Sequence, residues 1–505
     1  MNTKVTLARL EVGTVHETSE DFTLPDYLPE VRRIISCVGS VLPESKYIDR
    51  GEITTSGLVV YTVYYLGDDG SFNAVPLNSE YTAQIPCQGA DLTGLSTADL
   101  LVKTTLESAG CRATGPRRLV LSGRMRTKVL SFGETEIIEK VTTSSAAGEG
   151  KADLKSELTL ERHKSSVECS SVFTSSATGG VTGELREREG AKLISCSGTA
   201  TVTDAKLESG VISVRGDANV SCLVMSPEGE YSTVKVKAPF EEKLPIGNKQ
   251  ALPEDARCSV SAVARCAAVN MSGGDGGLYS WDMEYDIDAV MNADYTAEVT
   301  DDIYSTLYET KVTEGEVNVV SCLKNGSSRL SLNTTKQIHG GEGKTVAHAT
   351  GKVGVDHVDY TADGKMVLSG NCTVSAILVG GGEVSTEDVE IPYRFECDGK
   401  RTDVGVPSVM HDVCVIATDV RLDGDRMSVS AELGISLFAT AANKRAYVGE
   451  VVLDSDTEVG LRGNCVKIYF PFDDETTWDI GKRYHCEQKH IRPIEGMRSV
   501  MIAVE

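Results

Sequence analysis

The stretch IISCVGSV (Ile34–Val41) returns 159 residues later as LISCSGTA (Leu193–Ala200). Both copies carry glycine on one schedule: Gly39 is followed by Gly51 and Gly57, and Gly198 by Gly210 and Gly216, after 12 and 18 residues. A third copy begins at Gly351 and reaches Gly364 and Gly370 one residue late, as one extra residue in the first turn requires. Beyond the last glycine all three copies alternate. Tyr61, Val63 and Tyr65 match Val220, Cys222 and Val224, then Val374, Ala376 and Leu378, with Thr62, Ser221 and Ser375 on the more polar side. That period of two predicts half-buried strands. GDDG (Gly67–Gly70), SPEG (Ser226–Gly229) and GGG (Gly380–Gly382) follow as turns in which glycine supplies positive φ. Pro86 and Pro245 keep the 159-residue register. LVLSGRMRTKVLSF, LYSWDMEYDIDAVM and MSVSAELGISLFAT occupy comparable later places and read as closing hairpins. A repeat of about 150 residues is too long for a solenoid unit, so the chain reads as tandem β-sandwich-like domains.

Composition agrees. The 505 residues allow three or four domains, each able to bury a core. Aromatics are scarce at 6%, while Val, Thr, Ser and Gly are common, which favours strands and turns. Asp and Glu outnumber Lys and Arg by 74 to 50, for a net charge of −24. A nucleic-acid partner is not expected, because phosphate binding needs clustered cations. No apolar run reaches signal-peptide or transmembrane length, so a cytosolic protein is expected. Fourteen cysteines lie singly along the chain without CxxC pairs, and free thiols in a reducing compartment are the expectation. SSAAGEG (Ser144–Gly150) reads as a flexible joint after the first repeat, and PDYLPEVRRIIS as a short helical or irregular entry to it.

Motifs for chemistry are weak. IHGGEGKT (Ile338–Thr345) carries the second half of a phosphate-binding loop, but Ile338 stands where the first glycine belongs. VAHATGKVGVDHV then alternates as a strand, where a phosphate site needs a helix N-terminus. His339, His348 and His357 are nine apart, and His411 and Cys414 form a lone pair, so no zinc spacing exists. Neither a metal, a cofactor nor an enzyme is expected.

The pattern changes near the C-terminus. NCVKIYFPF reads as a strand with Val466, Ile468 and Phe470 alternating. Thr476 or Thr477 can cap a helix running through Trp478, Ile480, Gly481 and Tyr484. CEQKHIRPI reads as a short second helical piece and SVMIAVE as a closing strand, giving a βααβ order.

These features resemble two families. FTLPDYLPEVRRIISCVGSV, its alternating strand and the late Ile-Pro resemble the SPOCS domain of spore-coat morphogenetic proteins of clostridia, with the second and third copies diverged. The terminal segment resembles a LysM module: Thr476, Trp478, Ile480 and Tyr484 fit its first-helix pattern, and Ile468, Val500 and Ile502 fall where its strands lie. The resemblance therefore implies a mainly β chain of three sandwich-like repeats (1–140, 141–293 and 294–444) and a βααβ LysM-like module (445–505). Ile468, Trp478, Ile480 and Tyr484 would be module core. The family's ligand loops would be Asp473, Asp474, Glu475, Thr476 and Thr477 on one side, and Pro493, Glu495 and Gly496 on the other. Asp474-Glu475 replaces the family's Gly-Asp pair and Gly481 its helix alanine, which disfavours a sugar groove and favours a protein partner. The implied function is a non-enzymatic adaptor in the mother-cell cytosol, joining coat to forespore by binding the coat-basement ATPase. The alternatives are a glycan-binding cortex protein and a self-assembling coat component.

Overall fold

The protein is described by a computed structural model covering residues 2–49, 51–87, 95, 97, 100–145, 148–152, 154–246, 256–361, 363–380, 383–401, 407–460, 465–495 and 497–504. It is mainly β, in several separate sheets. The first block holds β1 (Asn2–Thr23), β2 (Val31–Asp49), β3 (Glu52–Gly67), β4 (Phe72–Pro86), β5 (Leu100–Gly115) and β6 (Arg118–Ile138). A hairpin of β7 (Lys140–Ser145) and β8 (Gly148–Lys151) and a single helical turn, α1 (Leu154–Glu157), lead into the second block. That block holds β9 (Leu160–Arg186), β10 (Lys192–Glu208), β11 (Val211–Met225), β12 (Tyr231–Pro245), β13 (Arg257–Gly273) and β14 (Leu278–Ser305). The third holds β15 (Tyr308–Gln337), β16 (Thr345–Tyr360), β17 (Lys365–Gly380), β18 (Glu383–Asp398), β19 (Ser408–Asp423) and β20 (Arg426–Glu458).

Every block uses its six strands alike. The second to fourth form an antiparallel meander, and the first pairs with the sixth, which pairs with the fifth. The alternating triplets are the central strand of each meander, and Tyr61, Val63, Tyr65, Val220, Cys222, Val224, Val374, Ala376 and Leu378 are all buried against the facing sheet. Gly51, Gly210 and Gly364 turn each second strand into the third at φ of 92°, 81° and 88°, a region L-residues rarely enter. Gly39, Gly198 and Gly351 serve a different need. A Cβ there would lie 2.8 Å from Leu106, 2.5 Å from Cys266 Sγ and 2.6 Å from Val415, on the fifth strands. Each fifth strand bulges at that height, at Leu106/Ser108, Cys266/Ala268 and Val415/Ala417, bringing the two sheets' edges together.

Several expectations are corrected. The segments read as closing hairpins are each one uninterrupted strand, the second arm of a hairpin whose first arm is the fifth strand. β14 runs through 293/294 and β20 through 444/445, so strand ends place the junctions after Ser305 and Glu458. Ser144 and Gly150, read as a flexible joint, lie in paired strands, and β7 runs parallel to β20. The entry Pro25–Glu30, read as helical or irregular, is the irregular alternative, built around a turn.

The blocks pack on one another cyclically: β4 against β10, β12 against β16, and β18 against β2. Tyr64, Phe72, Leu223, Ala347 and Ile377 from all three blocks share one apolar cluster there. The long first and sixth strands meet in another, with Val5, Ile137, Val167, Val299 and Val319. A third junction is ionic. Lys103 on β5, Arg265 on β13 and Asp412 on β19 converge, with Lys103 Nζ 2.5 Å and Arg265 Nη2 2.8 Å from Asp412 Oδ2. Arg265 also reaches Asp288 at 2.5 Å.

Two histidines sit at these junctions, His348 buried and His411 half-buried. His348 lies 5.5 Å from the Tyr64 ring and 3.4 Å from Thr233 Oγ1, and burial, with Lys235 nearby, pushes its pKa down to about 4. Burial and Lys103 push His411 down to about 4 against the opposing pull of Asp412. Both are neutral in the fold and protonate near 6.5 once unfolded. Their stabilisation is complete above pH 6.5 and is lost as pH falls toward 4, by about 2 kcal/mol each at pH 5. The urea midpoint should therefore drop between pH 7 and pH 5, and His348→Asn should remove roughly half of the drop. A midpoint unchanged over that range would refute the assignment.

Candidate functional site in the terminal module

The last residues form β21 (Cys465–Tyr469), α2 (Thr477–Tyr484), a 3₁₀ turn (Gln488–His490), β22 (Ile491–Pro493) and β23 (Val500–Val504). The sheet order is β21-β23-β22, so the second helical piece read from CEQKHIRPI is one 3₁₀ turn leading into a short strand. Thr476 caps α2. Asp479 N–H donates to its hydroxyl at 3.3 Å, and Thr476 N–H donates to the Asp479 carboxylate at 2.8 Å, which together make a capping box. Lys482 and Arg483 occupy the last turn, where the helix dipole favours cations, and His485 closes the helix at φ 48°. One side of the helix packs into the module, with Ile480 on Cys486, Ile491 and Ile502, and Tyr469, Tyr484 and Val500 around them.

Of the four residues read as module core, Ile480 and Tyr484 hold that place. Trp478 does not. It is buried against the second block, its Nε1–H donating to Asp302 Oδ2 at 2.8 Å and its ring edge-on to Tyr304 at 4.8 Å and 5.2 Å from His163. Lys482 Nζ reaches both Asp302 oxygens at 2.7 Å, and Tyr304 OH donates to Cys486 O at 2.8 Å. Gly481 is required here, since a Cβ would lie 2.4 Å from Tyr304 OH. The Asp302 carboxyl, which burial alone would raise, is held below its ordinary range by Lys482 and Trp478. Nothing near Trp478 in sequence marks this contact, because Asp302 lies 176 residues away.

Ile468 is the second correction. The face of β21 turned toward the helix carries Lys467, itself exposed, whose ammonium lies 5.0 Å from the Tyr484 ring centroid, and half-buried Tyr469, edge-on to the same ring at 5.3 Å. Ile468, read as core, therefore points outward with its alternating neighbours: Val466, Ile468 and Phe470 are 66, 64 and 68% exposed, followed by Phe472 at 73%. Met501 pairs with Ile468 across the ladder and Arg492 pairs with Met501, so this face is apolar with a cation on its far strand. Elsewhere in the described residues, large exposed apolar side chains are scattered.

The loop residues read as ligand positions are partly committed to the module itself. Glu475 accepts from Tyr469 OH at 2.8 Å and pairs with Arg483 at 2.8 Å, its side chain only 6% exposed. Asp473 pairs with Arg498, which ties the two loops together. Asp474 and Thr476 are exposed, and Thr477 Oγ1 donates to Gln488 at 3.4 Å. Pro493 ends β22 and Glu495 is exposed in the following turn; Gly496 lies outside the described residues.

Elsewhere, Thr345 after the Gly-Lys pair begins β16, a strand and not a phosphate-binding helix. Among the described residues no group of three or more His, Cys, Asp or Glu is placed to hold a metal, and no helix is long and apolar enough to cross a membrane. The fold and site thus define a mainly β chain of three six-stranded blocks with a small module docked on the second. Comparison with protein-family models, curated proteins and solved structures finds no match.

Proposed function

We propose that this chain is a non-enzymatic spore-coat morphogenetic adaptor, with SPOCS-type repeats as its body and the LysM-like end as its grip on the coat-basement ATPase. One observation supports this most: Val466 and Ile468 on edge strand β21, and Phe470 and Phe472 in the segment that follows it, are all exposed. Large exposed side chains on and beside an edge strand suit a protein partner, which can cover them and pair with the strand's free backbone. A sugar groove would instead need open polar loops, and here Glu475 and Asp473 are engaged by Arg483 and Arg498. The compartment that goes with this reading is the mother-cell cytosol at the forespore surface.

The test uses the full chain. Ile468→Arg should weaken retention of the coat ATPase at least 30-fold, as loss of about 2 kcal/mol at an interface centre does, while the unfolding midpoint stays unchanged. Unaltered retention by Ile468→Arg would overturn the assignment of this face. Sedimentation of the unaltered chain with peptidoglycan, without retention of the ATPase, would replace the adaptor with the glycan reading.

A further inference from the structure

Cys196 on β10 and Cys222 on β11 are in-register cross-strand partners, and their Sγ atoms lie 3.2 Å apart. Ordinary non-bonded contact holds heavy atoms at about 3.5–4.0 Å. The same rung exists in the other two blocks. It is Cys37 opposite Val63 in the first and Ala349 opposite Ala376 in the third. The sandwich therefore closes with one sulfur or with none, and packing does not account for two.

We propose that Cys196 and Cys222 are a redox modification site that closes to a cross-strand disulfide when the protein meets hydrogen peroxide. The Cys222 thiolate attacks one peroxide oxygen, the O–O bond breaks, and the sulfenic acid forms as the other oxygen leaves as water. The Cys196 sulfur then attacks the Cys222 sulfur, the S–O bond breaks, and the second oxygen leaves as water with the remaining protons. Two thiols and one peroxide give one disulfide and two waters. Reaching an S–S bond of about 2.05 Å moves the sulfurs together by only about 1 Å, within reach of side-chain rotation. The Cys196 S–H donates to the Cys222 sulfur, and this hydrogen bond lowers the Cys222 pKa against the opposing effect of burial while raising that of Cys196, so of the two sulfurs Cys222 is the one that ionises more readily and attacks. Cys196 is half-buried and gives the reagent its approach, whereas Cys222 is buried. Cys266 is the competitor, since its Sγ lies over Gly198, two residues along β10 from Cys196.

The full chain is treated with hydrogen peroxide, alkylated with N-ethylmaleimide under denaturing conditions and digested with trypsin without reductant. The expected product is the peptide Leu193–Lys206 joined to Gly216–Lys235, with alkylatable thiols falling by two from fourteen and returning on reduction with dithiothreitol. Cys222→Val rebuilds the first block's rung and should fold. Under peroxide it should keep all thirteen of its thiols. The proposal is overturned by full alkylation of both cysteines after peroxide, by Cys196 joined to Cys266, or by a Cys222→Val protein that still loses two thiols.

Discussion

Replacing Asp412 with Ala should cost about 3 kcal/mol and lower the urea midpoint of the whole three-block body, because it strands the Lys103 ammonium and takes from Arg265 one of its two carboxylates. The Lys103, Arg265 and Asp412 side chains are only 13, 21 and 17% exposed, and each comes from a different block. Burial alone would raise the Asp412 carboxyl, but Lys103 and Arg265 together hold it well below the usual carboxylate range. Its contribution is therefore present above about pH 4 and lost only in strong acid. Arg265 keeps Asp288 in the variant, whereas no other salt bridge to Lys103 is found among the described residues. Lys103→Met combined with Asp412→Ala should then cost less than the two single changes summed, since the stranded charge is gone. A midpoint that is unmoved by Asp412→Ala would show that the cluster does not join the blocks.

Trp478→Ala should release the terminal module without unfolding the body. The change removes a buried ring and its hydrogen bond to Asp302, at a cost of about 3 kcal/mol. Amide exchange across α2 and β21–β23 should accelerate about 100-fold, with the sandwich strands unchanged. Trp478→Phe keeps the contact with Tyr304 and loses only the indole donor, so it should show a smaller fraction of the effect. Acceleration spreading equally through β9–β14 would mean that Trp478 supports the body and does not merely attach the module.

Much of the fold was legible because it repeats. A triplet such as Val220, Cys222, Val224 states its strand and its buried side by alternation alone, and the spacing of Gly198, Gly210 and Gly216 marks the repeat. The strands with the weakest internal signal were the long ones. β14 and β20 were cut short because their distal halves pack on other blocks, and local pattern does not register a partner elsewhere in the chain. At the terminal module the capped helix was readable from Thr476 to Tyr484, and Ile480 was correctly set in the core.

The sequence by itself therefore determined that three copies of one β unit precede a small capped-helix module, because turns, caps and two-residue alternation are local constraints. Only the tertiary structure decided which way two of its most telling residues face. Trp478 serves Asp302 and Tyr304 because the module docks on β14, and Ile468 faces outward because Lys467 and Tyr469 lie against Tyr484 instead. An alternating strand has two faces of fixed composition, but which face is buried depends on what packs against it.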